Sequence, residues 1–543
     1  MQVHLIQQSN ISQKRQPQFK GVGDGFLRFL ATNQGVGANL TDLGFMVIPR
    51  VLTDAKRGPE ACIETTRREA SGTANHSCIG LYGVAAGTAI AAATGINRKF
   101  GTSANKMFTA PETLNILAEN KAKQIKDGLT QLDYLKETLG NLKAYNPTTT
   151  NADKEGFVKL SEETIDDVAK IIDKALNDKE MTYSLWTKKG TSESFEVAVN
   201  KILSNTGAES KYVLESSNKK LRSNTNLKTL LEDIYKVSES FNKQDVKKAF
   251  EEQIQNGKTI KDNAFVKKFS KFLKTRAAAG FAIGTAIGMS IQPINIYLTK
   301  LKTGSDGFVG VEGRSKDNST GFKVLKGAAA TGFFGMVMTT LGTGFKGFMD
   351  KMAFKGFWPT ISQLKGIYGL TIISRLLAAR DKDELRESLT KDTLGFLSWL
   401  VLGDFVNRTT AEILDKSVVN RTKDVAEQGF LKRVFKSTLK TRDEILIEAL
   451  AQNGIDTVKK DGDKTIAKTF KELMKDLDKL PEQVRKTTKK RLGTLNKAQL
   501  AGYAFSGLVL GLGIPNLNIY ITNKLDQKRK AKLAEQQAQT AKA

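Results

Sequence analysis

Gly280 to Lys300 reads GFAIGTAIGMSIQPINIYLTK, and Gly502 to Lys524 reads GYAFSGLVLGLGIPNLNIYITNK. Each stretch is an apolar run of about the 20 residues that a bilayer-spanning helix requires. Small residues recur four apart, with Gly280, Gly284 and Gly288 in the first and Gly507 and Gly511 in the second after its opening Gly502. That spacing puts them on one helix face, where neighbouring backbones approach closely, and it matters most where lipid offers no hydrophobic drive for association. Each run also carries one proline, Pro293 or Pro515, followed by Asn-Ile-Tyr and a threonine. The two stretches align at a spacing of 222 residues from Gly280 to Gly502, and of 223 from Asn295 to Asn518.

Working outward, further pairs keep the same order. Gly44 to Leu52 (GFMVIPRVL) matches Gly369 to Leu377 (GLTIISRLL), pairing Arg50 with Arg375 at a spacing of 325. Glu64 to Gly72 matches Glu387 to Gly395 at 323, pairing Arg68 with Lys391, Glu69 with Asp392 and Gly72 with Gly395. Leu117 to Asn120 matches Leu450 to Asn453 at 333, and Lys126-Asp127-Gly128 matches Lys460-Asp461-Gly462 at 334. Blocks in one order indicate an internal duplication. The fall in spacing from 334 to 222 leaves 112 extra residues in the first half, an insertion at about 142–258. Inside it, Leu160 to Asp178 has helical apolar spacing, and Thr164 with Asp167 resembles a capping box, so a small helical subdomain is expected.

The expected fold is therefore mainly α, an internally duplicated helical bundle of membrane type with polar helical insertions. Its parts are a polar N-terminal tail (1–20), a first repeat (21–303), a linker with an extra apolar helix (304–345), a second repeat (346–530) and a polar C-terminal tail (531–543). Other apolar runs lie at Cys78 to Ile96, which contains Gly83 and Gly87, and at Gly327 to Phe345. Shorter runs lie at Leu40 to Leu52, Gly366 to Ala379 and Thr393 to Val406. Three segments per half and one between them give seven crossings, with Ala104 to Arg276 and Asn407 to Ala498 on the cytoplasmic side and Thr53 to Ser77 and Arg380 to Asp392 as short opposite loops. The Met1-Gln2-Val3-His4 start lacks the features of a secretory signal, so internal segments are expected to drive insertion.

Charge narrows the partners. The 543 residues hold 84 Lys and Arg against 57 Asp and Glu, a net +27, which suits anionic lipid, nucleic acid or another acidic partner without choosing among them. Basic residues gather from Lys258 to Arg276 and from Arg485 to Lys497, directly before the two long apolar runs, either at a headgroup layer or on a solvated helix face. The polar insertions offer surface for a protein partner. A soluble basic helical protein is the reading from another class, since mean hydropathy is only −0.31.

Chemistry has little to stand on. The chain has two cysteines, Cys62 and Cys78, and two histidines, His4 and His76, so neither a metal site nor a cofactor is expected. Gly21 to Phe26 (GVGDGF) lacks the third glycine of a dinucleotide fingerprint, and no phosphate loop or nucleophile elbow appears. This pattern points away from an enzyme. Candidate polar or binding residues are the two proline regions, Pro293, Asn295, Tyr297 and Thr299 with Pro515, Asn518, Tyr520 and Thr522, where a broken helix would free carbonyls or an interfacial girdle would form. The others are charge pairs, Arg50 with Glu64 and Glu69 and Arg375 with Glu387 and Asp392, expected as ion pairs holding each half together, with gating or anion binding as the other reading.

Overall fold

The computed structural model describes residues 22–32, 34–56, 58–147, 152–178, 181–188, 193–209, 211–217, 221–304, 316–355, 359–462 and 464–540. The N-terminal tail expected at 1–20 lies outside them. The fold is mainly α. Its longest helix, Ala264–Thr303, starts where the Asn263 side chain accepts from the Phe265 and Val266 amides and ends at left-handed Gly304, φ 67°.

Two cores share this helix. Phe265, Val266, Phe269 and Leu273 pack with Leu117, Ile172, Ile234 and Leu446 into a large helix-and-sheet unit. Ala277, one turn further on, joins Ile79, Phe333, Ile367, Phe396 and Leu510 in a separate apolar bundle. Helix Glu482–Leu508 makes the same passage, with Leu492, Leu495 and Ala498 in the unit, and Leu510 in the bundle just beyond its end. The lysines leading into the first long apolar run, Lys267, Lys268, Lys271 and Lys274, lie exposed on the face opposite that core. Helix Thr320–Leu341 runs back along the bundle: Lys326 Nζ donates to Ala379 O near its start, and Lys365 Nζ to Thr340 O near its end.

The insertion is not purely helical. Strands Leu142–Tyr145, Phe157–Lys159, Tyr212–Glu215 and Arg222–Thr225 form an antiparallel sheet in which the second strand pairs the first, the first pairs the third and the third pairs the fourth. These strands are only three or four residues long, too short for alternation to separate them from turns. Helix Glu162–Asn177 buries Val168, Ile172 and Ala175 as its spacing requires, yet its cap is Ser161, which accepts from the Thr164 amide. The capping box assigned to Thr164 and Asp167 is thus one turn out of place. Lys126 ends helix Pro111–Lys126, whereas Lys460 lies in strand Val458–Asp461, so that matched block has two conformations.

Three helical spans are long and apolar enough to cross a membrane: Ala264–Thr303, Thr320–Leu341 and Glu482–Leu525. Helices Pro59–Ser77 and Ile79–Thr94 qualify together as a pair bent by 53°. Seven spans are therefore too many among the described residues, because the shorter runs are continuous with helices that bury charge. Thr53 to Ser77 and Arg380 to Asp392 are not loops: they are largely helix, in Pro59–Ser77 and Lys382–Leu397. Helix Ile514–Thr540 also continues through the described part of the polar C-terminal tail.

Candidate functional site

The polar centre of the bundle is assembled from four helices. In Pro59–Ser77 the enclosed residues are Ala61, Glu64, Thr65, Arg68, Glu69, Gly72, Asn75 and His76. These recur at helical spacing, so the face turned inward is the polar one, the reverse of an amphipathic helix on a soluble core. Ile48–Ala55 contributes Arg50, Ile361–Ala378 contributes Arg375, and Lys382–Leu397 contributes Asp392.

Their charges form one lattice. Arg50 Nη1 is 2.9 Å from Glu69 Oε2 and 3.5 Å from Asp392 Oδ1, and Arg375 meets the same two carboxylates at 3.3 and 3.2 Å. Arg50, Glu69, Arg375 and Asp392 are each at most 4% exposed. A buried carboxylate with one arginine still carries a large desolvation cost, and a second arginine offsets more of it. Arg68 Nε approaches Glu69 Oε1 at 3.3 Å, and Lys391 Nζ approaches the same oxygen at 3.9 Å. A Cβ on Gly72 would lie 3.3 Å from Arg375 Nη2, and one on Gly395 would lie 3.1 Å from Arg50 Nη2. Each glycine gives room to the arginine from the other half of the chain.

Two expected pairs are corrected. Glu64 faces Arg380, at 3.3 Å, rather than Arg50, and Arg380 is held further by Glu384 at 3.0 Å. Glu387 does not meet Arg375. It accepts from Thr522 Oγ1 at 2.8 Å and lies 3.7 Å from Arg386. Sequence spacing placed these carboxylates in the right helices but left open which half their partners come from, because that depends on how helices distant in sequence pack.

The prolines do not break their helices. Pro293 lies inside Ala264–Thr303, and the Met289 carbonyl, four residues back, accepts from Ser374 Oγ at 2.7 Å. A neighbouring hydroxyl thus replaces the amide that proline lacks. Pro515 follows a π turn, Val509–Gly513, and Pro49 follows another, Leu43–Val47, where the wider turn accommodates the missing donor. The residues after each proline divide by face. Asn295 and Thr299 are buried, and Thr299 Oγ1 accepts from Arg67 Nη2 at 3.1 Å. Asn518 Nδ2 donates to Glu387 O at 3.2 Å, whereas Tyr297 and Tyr520 are 61% and 62% exposed.

The Gly-rich faces meet defined neighbours. A Cβ on Gly280 would come 3.3 Å from Gly83 Cα, and one on Gly87 would come 2.7 Å from Arg276 Cδ. Gly284 faces Ile367 and Tyr82, and Gly288 faces Thr371 and Asn75. In the second long helix Gly502 faces Asn407 and Gly403, Gly507 faces Phe45, and Gly511 faces Pro49 and Phe45. Each long helix therefore packs on helices of both halves, the first on Ile79–Thr94 and Ile361–Ala378, the second on Gly403–Leu414 and the segment around Phe45 and Pro49.

A cavity of about 50 Å³ opens beside the lattice, lined by Arg50, Asp54, Arg68, Glu384, Lys391 and Asn518 among others. It is far smaller than the ~300–1,000 Å³ of an organic-ligand pocket. His76, also enclosed, has Nε2 3.2 Å from Asp42 Oδ2 and rings of Tyr368 and Trp399 around it. Arg68, Arg380, Glu384, Ser374 and Asp42 join the polar centre without a local motif that marks them. The one usable sequence signal was the pairing of Arg68 with Lys391 beside Glu69 and Asp392. No protein-family model matches the chain, and no curated protein or solved structure is significantly similar to it.

Proposed function

We propose that this chain is a polytopic membrane protein made of two related halves, acting as a scaffold-type component whose helix-and-sheet unit projects from the bilayer. The observation that carries this reading is where the apolar residues face. Only 28%, 22% and 22% of the most apolar windows of the three long spans are buried within the protein. Ile283, Ile287, Ile294, Leu298 and Leu301 line the outside of one span, and Leu500, Leu508 and Leu512 the outside of another. Burying charge while exposing hydrocarbon is favourable only where hydrocarbon also surrounds the protein.

The reciprocal contacts of Arg50 with Asp392 and Arg375 with Glu69 support descent of the halves from one ancestral unit. They also favour a clamp over a gate, since moving the halves apart would strand four buried charges. The small cavity favours a scaffold over a carrier of organic solutes. Anionic lipid is the partner proposed for the basic ends of the spans, with Lys300 and Lys524 beside the exposed tyrosines, and the polar unit is proposed to lie in the cytoplasm with surface for a protein partner.

Fractionation tests this. The protein is expected to stay with membranes through high salt and alkaline carbonate and to be released by detergent. Release by salt or carbonate would replace this reading with that of a soluble basic protein held on lipid or nucleic acid.

A further inference from the structure

We infer that the cavity beside the charge lattice is a binding site for a small inorganic anion of halide size. The inference does not depend on whether the chain spans a bilayer.

Among the described residues, four cations at the lattice, Arg50, Arg68, Arg375 and Lys391, draw on two carboxylates, Glu69 and Asp392. Three of those cations, Arg50, Arg68 and Lys391, line the cavity. Arg68 is 6% exposed, and its Nη2 is buried with no hydrogen-bond partner in the protein. Lys391 Nζ, 3.9 Å from Glu69, is beyond hydrogen-bond reach of that oxygen. A guanidinium nitrogen held out of water without an acceptor is costly, and a bound anion removes that cost.

The carboxylates on the cavity wall are already engaged. Asp54 accepts from Thr65 Oγ1 at 2.5 Å. Glu384 accepts from the Arg380 amide at 2.7 Å and from its Nε at 3.0 Å, and Glu387 accepts from Thr522. The lining thus holds three carboxylates against three cations, and the buried donor among them left without an acceptor is Arg68 Nη2. Size then limits the ligand: about 50 Å³ is room for roughly three to five waters, each needing roughly 10–15 Å³ by the same measure, so the cavity admits a small inorganic anion with a few waters. Arg68 and Lys391 also occupy matched positions at the spacing of 323, so each half of the chain supplies one donor.

The test uses the full chain in detergent, exchanged into gluconate and titrated with chloride at constant ionic strength. The thermal midpoint is expected to rise saturably with chloride, and Arg68→Gln to weaken the apparent affinity about tenfold or more, the effect of losing a charge-assisted hydrogen bond. Lys271→Gln, an exposed lysine far along the helix-and-sheet unit, should leave the titration unchanged. Should Arg68→Gln fail to fold, bromide soaked into wild-type crystals provides the second measurement, with an anomalous peak expected within hydrogen-bond reach of Arg68 Nη2. Equal midpoints in chloride and gluconate, or bromide found only on exposed lysines, would overturn the assignment.

Discussion

Around Leu117, Ile172 and Ile234 the enclosed side chains are hydrocarbon, and lysines such as Lys267 and Lys271 face outward. Around Arg375 the enclosed side chains include a lattice of ions set among apolar neighbours such as Ile372 and Leu376, and Ile287, Leu301, Leu508 and Leu512 face outward. One helix, Ala264–Thr303, passes through both regions and reverses its pattern within a turn or two of Arg276. Under the proposed bilayer placement, the two regions are packed for different surroundings. In that placement water covers the first and drives its apolar residues together, whereas the second relies on glycine contact, interhelical hydrogen bonds and paired charge.

The sharpest way to break the comparison is Glu69→Ala. Removing one carboxylate leaves Arg50 and Arg375 short of charge, and unfolding in detergent is expected to become about 3–5 kcal/mol easier. A cost under about 1 kcal/mol would mean that the lattice is hydrated and not a clamp.

One buried acid of the helix-and-sheet unit, Asp233, is held differently. Burial raises the Asp233 carboxyl to about 8, against a Thr109 hydrogen bond and the pull of Lys236 and Lys355, so at neutral pH it is held mainly in its protonated form. A carboxyl raised on folding stabilises below its unfolded value, about 3.9, and that contribution is lost as pH climbs toward 8. Wild-type stability should therefore fall across that window, and Asp233→Asn should flatten the profile measured by denaturant titration.

Hydrocarbon truncation sharpens the contrast further. Ile234→Ala should cost about 2–5 kcal/mol through the cavity it leaves, while Leu512→Ala should change stability by about 0.5 kcal/mol or less. Equal costs would mean that another surface covers Leu512. Gly280→Ala should cost about 1–3 kcal/mol, because its Cβ would press on Phe354 and on the Gly83 backbone, and the thermal midpoint will register it. Ser374→Ala should cost about 1 kcal/mol by leaving the Met289 carbonyl without its hydroxyl donor. Restoring an amide at that turn with Pro293→Ala should recover part of the loss.

Much of the bundle was legible in local pattern. The apolar runs at Gly280 and Gly502 carry their own length and glycine spacing, and both lie in long helices. The basic stretch before the first of them was legible as a helix, and its phenylalanines settled which face is covered. The small sheet at 142–225 was not, since strands of three or four residues have no period of their own. Nor was the proline chemistry: Ser374 is 85 residues from Met289, and no local rule connects them.

By itself the sequence determined a helical, glycine-rich, strongly basic chain, because helical period, turn residues and charge act over a few positions. Tertiary structure alone decided that Arg50 reaches across to Asp392 and Arg375 to Glu69, that Asn518 turns inward while Tyr520 turns out, and that Arg68 is left facing a cavity. Those outcomes depend on which helices lie side by side. That choice is made by the whole set of close-packed faces, and no segment carries it alone.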